Sequence, residues 1–434
     1  MILKSVVVRE YARLTTESID NSHIENNLDR AQISATAFDW VCKLSQSFSA
    51  AGASLAVIEG RTWLRLDKYV GVIETPCGTR IEILPKHHEY SDSTSDGRNL
   101  LRRMISASLN LPTREAGLAD LELFDAPLTE WIMGRFLASL DRLVKTGIRF
   151  DYLRVEAEHR YLRGQLNTAR QMRQPPGRQH FFHIRCDIFN PDNAENRLLK
   201  LGLEKVSRLT RNAANGKLAS ELRSLMSEID SSKDVMGDFK QWRSQRLMAH
   251  YLPVKPWCEL ILGEKMPLSV SGCWHGISLL FPMDKLFEKY VAAWLRSSIP
   301  SSVKLRSPAT SEYLTVHKNK RMFNLQPDLL LESADKKWVL DVKWKKLDSS
   351  NRDNNYGLSQ QDFYQLYAYG KKYLEGQSSS ELILIYPATT AFETSLPLFD
   401  FGGGMKLWVL PFDLTNDGAL IDFEKTPLKD LLRS

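Results

Sequence analysis

The sequence predicts a mixed α+β protein whose last third has α/β character: a β-rich and helical amino-terminal region, then a carboxy-terminal domain in which helices flank a mixed sheet. Three observations carry this. Short β-type runs, SLAVIEG, RTWLRLD, YVGVIETP and TRIEILPK, crowd into residues 56–86. Apolar stripes of helical period dominate 35–51, 99–146 and the stretch from Asn193. After Pro282 the order becomes helix, hairpin, helix, strand. At 434 residues the chain exceeds the roughly 250–300 at which one core stops growing. The expected division is 1–170, β-rich and helical; 171–274, a basic connector and helical region; and 275–434, the carboxy-terminal domain.

From the start of the chain, Ala35 to Ala51 reads as a helix with Phe38, Val41, Cys42, Leu44 and Phe48 on one stripe. Pro76-Cys77-Gly78 supplies a turn between strands. The polar run YSDSTSDGR at 90–98 reads as a loop, and helical periodicity begins at Asn99. A second helix opens at Pro127, where the missing N–H costs nothing, and Leu121 to Phe124 reads as a short strand before it. Residues 147–190 read as irregular and basic. Arg149, Arg154, Arg160, Arg163, Arg170, Arg173 and Arg178 interleave with Tyr152, Tyr161, Phe181 and Phe182. That mixture suits phosphate contact and base stacking, and it equally suits a solvated connector. The helix from Asn193 carries Leu198, Leu199, Leu201, Leu203 and Val206.

Composition narrows the function classes only a little. Hydrophobic content of 43% and charged content of 25% are ordinary for globular chains. A net charge of +6 permits a polyanionic partner without requiring one. The first residues lack a long apolar core, and no run approaches the ~20 apolar residues of a membrane span, so no membrane partner is expected. Five scattered cysteines, Cys42, Cys77, Cys186, Cys258 and Cys273, with no C-x-x-C pair, point to a reduced, cytoplasmic compartment. His180, His183 and Cys186 share a strand-like segment with no fourth ligand nearby, which favours an aromatic-rich strand over zinc.

The chemistry concentrates after residue 320. Phe323 to Glu332 reads as a strand introduced by Pro327, with Asp328 at the head of an apolar run. Lys337 to Lys345 reads as the return strand. Period two sends Asp341, Lys343 and Lys345 to one face and Leu340, Val342 and Trp344 to the other. Adjacent strands would set Asp328 beside Asp341, with Lys343 next along. Two close carboxylates repel unless a cation lies between them. Hard oxygen ligands with an open shell suit Mg²⁺, and the lysine would orient a water and offset charge at a phosphate. A surface hairpin whose charges pair in solvent is the alternative.

The flanks favour the first reading. Pro282 to Ser297 reads as an amphipathic helix with Leu286, Phe287, Tyr290, Val291, Trp294 and Leu295 buried, and Glu288 placed to reach the site's edge. Ser359 to Asp362 reads as a capping box, and on the helix it opens Asp362, Gln365 and Tyr369 share a face. Glu381 to Tyr386 and Leu407 to Leu410 complete a mixed sheet. This is the element order of a PD-(D/E)xK nuclease core.

Phe287-Glu288-Lys289-Tyr290, Pro327-Asp328 with Asp341-Val342-Lys343, and Asp362-x-x-Gln365-x-x-x-Tyr369 together resemble the McrC family. Its members are the nuclease subunits of modification-dependent, McrBC-type (5-methylcytosine-specific) restriction systems. Val70-Gly71-Val72-Ile73, Ile81 to Lys86, Leu162 to Leu166 and Glu195 to Leu199 resemble the family as well, so the likeness spans about 60–375. The resemblance implies that Asp328, Asp341 and Lys343 are catalytic, with Glu288, Gln365 and Tyr369 in supporting roles. Asp328 and Asp341 would hold Mg²⁺. It further implies a hexameric AAA+ GTPase partner that translocates double-stranded, methylated DNA and whose hydrolysis this chain stimulates, with the region before about 170 as docking element. No G-x-x-x-x-G-K-[S/T] occurs, so this chain itself is expected to bind no nucleotide. Gly402-Gly403-Gly404 lacks that spacing and reads as a flexible loop.

Three other classes compete. A stand-alone RecB- or Cas4-like nuclease often carries cysteine-bound iron–sulfur, and no cysteine follows Cys273 here. A regulatory scaffold that no longer cuts is opposed by the intact Asp, Asp and Lys. An HNH-type site on His87-His88-Glu89 lacks the rest of its motif.

Overall fold

Ser380–Pro387, SELILIYP, is apolar on both of its faces, which only a strand covered from two sides can tolerate. In the computed structural model it lies inside a mixed sheet. The structure describes residues 5–17, 27–50, 52–86, 93–109, 126–243, 246–263, 278–377, 379–415, 418–429 and 431–432. Ser380–Pro387 runs parallel to Lys337–Val342 on one side and to Met405–Asp413 on the other. Leu329–Glu332 pairs antiparallel with Lys337–Val342, and Lys304–Arg306 antiparallel with Leu329–Glu332. Phe399–Gly402 and Ala419–Leu420 complete the sheet, each antiparallel to Met405–Asp413.

Side-chain alternation assigns each face of this sheet to a helix. Leu330, Val339, Leu382, Leu384, Leu407 and Val409 share a buried cluster with Leu366, Tyr369 and Tyr373 of helix Gln360–Tyr373. On helix Met283–Ser298, Phe287, Tyr290 and Trp294 gather edge-on around Phe412, and Phe287 meets Trp344 at 5.2 Å. Such edge-to-face contacts add to the area that the rings bury.

The β-rich start of the chain forms two further sheets. One has the order Ser5–Arg9, Arg80–Leu84, Tyr69–Glu74, Leu279–Pro282. The other has the order Arg30–Gln32, Arg13–Thr15, Trp63–Leu66, Ala56–Glu59, with helix Ala35–Ala50 against its last strand. Helix Thr94–Ser108 packs on Met283–Ser298. The chain therefore divides into one unit of 1–125 with 280–434 and another of 126–279. This differs from the contiguous 1–170, 171–274 and 275–434 expected. Periodicity identifies strands and helices but not their partners, and here the partners lie at opposite ends of the chain.

In the unit 126–279, Trp131 and Trp257 meet edge-on at 5.4 Å between helices Leu128–Thr146 and Lys255–Leu262. The buried Glu130 carboxylate accepts from the Thr210 hydroxyl, the Arg211 N–H and the Asn215 amide at 2.7, 2.7 and 3.1 Å. Asp151–His159 and Phe182–Asn190 pair antiparallel along their whole length, with Gln165–Leu166 beside the second. The sequence reads this region as irregular because the strands are largely exposed, Tyr152, Leu153 and Phe189 by more than half, so no one-sided apolar alternation marks them.

Other expectations change too. Of the 90–98 loop, Thr94 onward is helical: Ser93 caps Thr94–Ser108, and the polar first turn disguised its start. Ser359 is an N-cap residue without a side-chain cap bond, so the capping box is not made. Gly402-Gly403-Gly404, all at positive φ, form the tight turn between paired strands instead of a flexible loop. Leu121 to Phe124 and His87-His88-Glu89 lie outside the described residues. Among the described residues no helix is long and apolar enough to cross a membrane.

Candidate active site

Pro327 cannot donate to a strand ladder, and between Lys320–Leu325 and Leu329–Glu332 it leaves a break in which Asp328 stands. Asp328 Oδ2 accepts a hydrogen bond from the Val342 N–H at 2.9 Å, which ties it to the return strand. Asp341 lies in that strand and is 2% exposed. The strand ends at Val342, yet the Lys343 N–H donates to Ile385 O at 2.9 Å and carries the parallel ladder one bond further. Lys343 Nζ is then 2.7 Å from Asp341 Oδ2 and 3.8 Å from Asp362 Oδ1. From helix Met283–Ser298 the buried Glu288 binds Lys285 Nζ at 2.5 Å, and that ammonium is 4.0 Å from Asp328 Oδ1. Asp328, Asp341, Lys343 and Glu288 thus come together as the sequence suggests.

Gln365 and Tyr369 sit differently. Gln365 Nε2 donates to the Tyr369 hydroxyl at 2.5 Å, and that hydroxyl donates to Gln326 O at 3.0 Å. Both act on the backbone two residues before Asp328. Sequence reasoning missed Lys285, whose signal was its i, i+3 spacing to Glu288, and it gave Asp362 a capping role in place of its ion pair with Lys343. It also missed Glu10, whose carboxylate reaches Trp344 from a distant segment.

Charge is concentrated here. Burial, and then the nearby Asp328 charge, push the Asp341 carboxyl up to about 7, against the pull of Lys343. Burial and Asp328 also raise Glu288, with Lys285 opposing. Burial works against the Lys343 ammonium, but Asp341, Asp362 and Asp328 outweigh it and hold it protonated. Lys285 is likewise held protonated, by Glu288 and Asp328 against burial. Four carboxylates, Glu288, Asp328, Asp341 and Asp362, face three ammonium groups, Lys285, Lys343 and, acting on Glu288, Lys289, which leaves an excess of negative charge in a largely buried setting.

That excess fits a hard cation. Asp341 Oδ2 is buried, with the Lys343 ammonium 2.7 Å away as its partner. Among the described residues no three Asp, Glu, His or Cys side chains are grouped so as to hold a metal ion together. Mg²⁺ needs no such group, since it keeps waters and takes one or two carboxylates plus phosphate oxygens. Among its described residues the unit 126–279 offers nothing comparable. Two clefts there, of about 220 and 260 Å³, are lined by Glu156, Glu158, Arg170, Arg178 and His183, and their acids pair with their arginines.

The family model for the McrBC 5-methylcytosine restriction system component matches residues 64–387. The fold is similar to a chain in the half-complex from a tetradecameric assembly of Thermococcus gammatolerans McrB AAA+ hexamers with bound McrC. The TM-score is 0.71 at 19% identity, covering 97% of this chain and 98% of that one. A chain of the Thermococcus gammatolerans McrBC complex matches with a TM-score of 0.53 at 20% identity, covering 68% and 87%. No curated protein matches the sequence.

Proposed function

Because the chain belongs to the family of McrBC 5-methylcytosine restriction system components and is of the McrC type, we propose that it is the system's nuclease subunit, a Mg²⁺-dependent PD-(D/E)xK endonuclease acting on double-stranded DNA. The observation that carries the reading is Asp341: a carboxylate 2% exposed, beside Asp328 and with the Lys343 ammonium 2.7 Å from its Oδ2.

Asp328 and Asp341 would hold the Mg²⁺, which supplies Lewis-acid charge and water activation at the scissile phosphate. Lys343 Nζ, held charged between Asp341 and Asp362, orients the attacking water and offsets negative charge growing on the phosphate oxygens. Burial of Asp341 keeps bulk water from screening that charge. Glu288 with Lys285 balances charge on the far side of Asp328. Gln365, through Tyr369 and the Gln326 carbonyl, fixes the turn from which Asp328 projects.

This sequence contains no Walker-type phosphate loop, so the motor is assigned to a partner. The Thermococcus gammatolerans McrC that the chain resembles is bound to McrB AAA+ hexamers. By that likeness this chain docks on an AAA+ GTPase ring, stimulates its hydrolysis and cuts DNA carrying 5-methylcytosine. The test combines the chain, its AAA+ partner, GTP, Mg²⁺ and methylated or unmethylated plasmid. Asp341→Asn is expected to lower cleavage by at least about 100-fold, the scale of losing one group that stabilises the transition state. Cleavage at the wild-type rate by this variant overturns the reading.

A further inference from the structure

Glu312–His317 and Lys320–Leu325 form a two-stranded ribbon that pairs with no other described strand. An isolated hairpin is marginal in water, and this one leaves Leu314, Val316 and Phe323 exposed, Phe323 by 66%. Phe323 also sits at φ 58°, a left-handed conformation that costs an aromatic residue energy. The ribbon's own packing does not account for such a surface.

Its charge does suggest an occupant. His317 faces Lys320 across a two-residue turn of Lys318 and Asn319, both at positive φ. Asn-Gly is the usual filling of such a turn; here a lysine occupies it instead. Residues 313–325 contain no acid. Among the described residues Lys318, Lys320 and Arg321 make no ion pair, and Arg321 lies over the Tyr313 ring at 5.5 Å. The tip is therefore a cluster of uncompensated cations on a ribbon.

Its root is firm and adjoins the acidic cluster. The Tyr373 hydroxyl lies 2.8 Å from Leu325 O and 3.2 Å from Ala309 O, and accepts from the Glu312 N–H at 3.3 Å. Gln326 and Pro327 then lead straight to Asp328. A polyanion approaching Glu288, Asp328 and Asp341 is repelled unless cations nearby compensate. Six residues of strand reach about 20 Å, and a two-stranded ribbon fits the roughly 12 Å major groove of a duplex.

We propose that this ribbon grips double-stranded DNA beside the cutting site, with Lys318, Lys320 and Arg321 on backbone phosphates. The assignment rests on the nuclease reading above and adds the element that seats its substrate. The test is fluorescence anisotropy of the full-length chain with a short fluorescein-labelled DNA duplex in EDTA, at several salt concentrations. The variant carries Lys318→Ala, Lys320→Ala and Arg321→Ala, all on exposed positions, and its Tm checks the fold.

Expected is weaker binding and a plot of log affinity against log salt shallower by about 2–3, near one unit per lost phosphate contact. Lys318→Arg with Lys320→Arg keeps the wild-type slope. An unchanged slope in the triple variant overturns the ribbon's role and leaves the nuclease reading intact. Unchanged slope with loss of AAA+ partner assembly makes the ribbon a protein-docking element, which also overturns it. Failure of the wild-type chain to bind the duplex, with and without its partner, overturns both.

Discussion

The buried carboxylate of Glu10 accepts a hydrogen bond from the indole Nε1 of Trp344 at 2.8 Å, so an amino-terminal residue holds the neighbour of Lys343 in place. The same oxygen accepts from the Lys86 N–H at 2.8 Å, while the other is buried without a partner. Trp344 in turn packs on Phe287, next to Glu288. Burial pushes Glu10 up to about 7, against the hydrogen bonds of Lys86 and Trp344 and the charges of Lys86 and Lys346.

This relationship makes a stability prediction with a definite sign. A carboxyl whose folded pKa is raised favours the fold when protonated, and that advantage is lost as pH rises from the unfolded value toward about 7. Glu10→Gln is therefore expected to melt above wild type at pH 8, the gap closing by pH 5. Trp344→Phe keeps the ring packing but removes a donor, and is expected to cost about 1–3 kcal/mol. Thermal denaturation across pH checks both. A Glu10→Gln Tm below wild type at pH 8 would show that the carboxylate is needed there in its charged form.

Asp341 links activity and stability in opposite directions. Its carboxyl is also held near 7 by burial and Asp328, so in EDTA at pH 8 its charge works against the fold. Asp341→Asn is expected to abolish cleavage while raising Tm by at least about 2 °C under those conditions. In the wild type the half-saturating Mg²⁺ concentration should climb as pH falls through about 7, because protons compete with the cation for the carboxylate. Cleavage titrated with Mg²⁺ at pH 6, 7 and 8 measures this. A half-saturation independent of pH would remove Asp341 from the ligand set.

The Gln365–Tyr369–Gln326 chain predicts non-additivity. If Gln365 acts only through the Tyr369 hydroxyl, Gln365→Ala and Tyr369→Phe each slow cleavage, and the double variant is no slower than the worse single one. Each single loss should be smaller than that of Asp341→Asn, since it loosens a turn without deleting a ligand. Rates at saturating Mg²⁺ complete the cycle. Additive losses would mean that Gln365 touches the substrate directly.

Much of this site is legible in the sequence because it is local. Asp341 and Lys343 are two residues apart on a strand, and Pro327-Asp328 marks the start of its neighbour, so period two alone sets them on one face. Lys285 stands one helical turn from Glu288 and was equally within reach. Glu10 was not: its pairing with Trp344 spans most of the chain, and no periodicity reports a contact of that kind. The strands Asp151–His159 and Phe182–Asn190 were illegible for another reason. They pair with each other but bury little, so the apolar alternation that reveals a strand is missing.

The same long-range pairing alters how division of labour should be tested. Deleting 1–170 would remove Glu10, helix Thr94–Ser108 and three strands of a sheet that belongs to the same unit as 280–434. Such a truncation is expected to unfold the candidate nuclease, and its silence would say nothing about docking. Point variants in the full-length chain avoid this. In the unit 126–279, Phe150 stacks on Phe189 at 4.7 Å and Tyr152 lies 5.1 Å from it, with Tyr152 76% exposed. Exposed aromatic clusters are typical anchors of protein interfaces. Tyr152→Ala with Phe189→Ala is expected to abolish stimulation of the partner's GTP hydrolysis, with the wild-type Tm retained. Asp341→Asn is expected to leave that stimulation whole while abolishing cleavage. Hydrolysis measured with each protein at matched concentration decides the matter. Full stimulation by the aromatic double variant would move docking to another surface, and loss of stimulation in Asp341→Asn would mean that cutting and docking share one site.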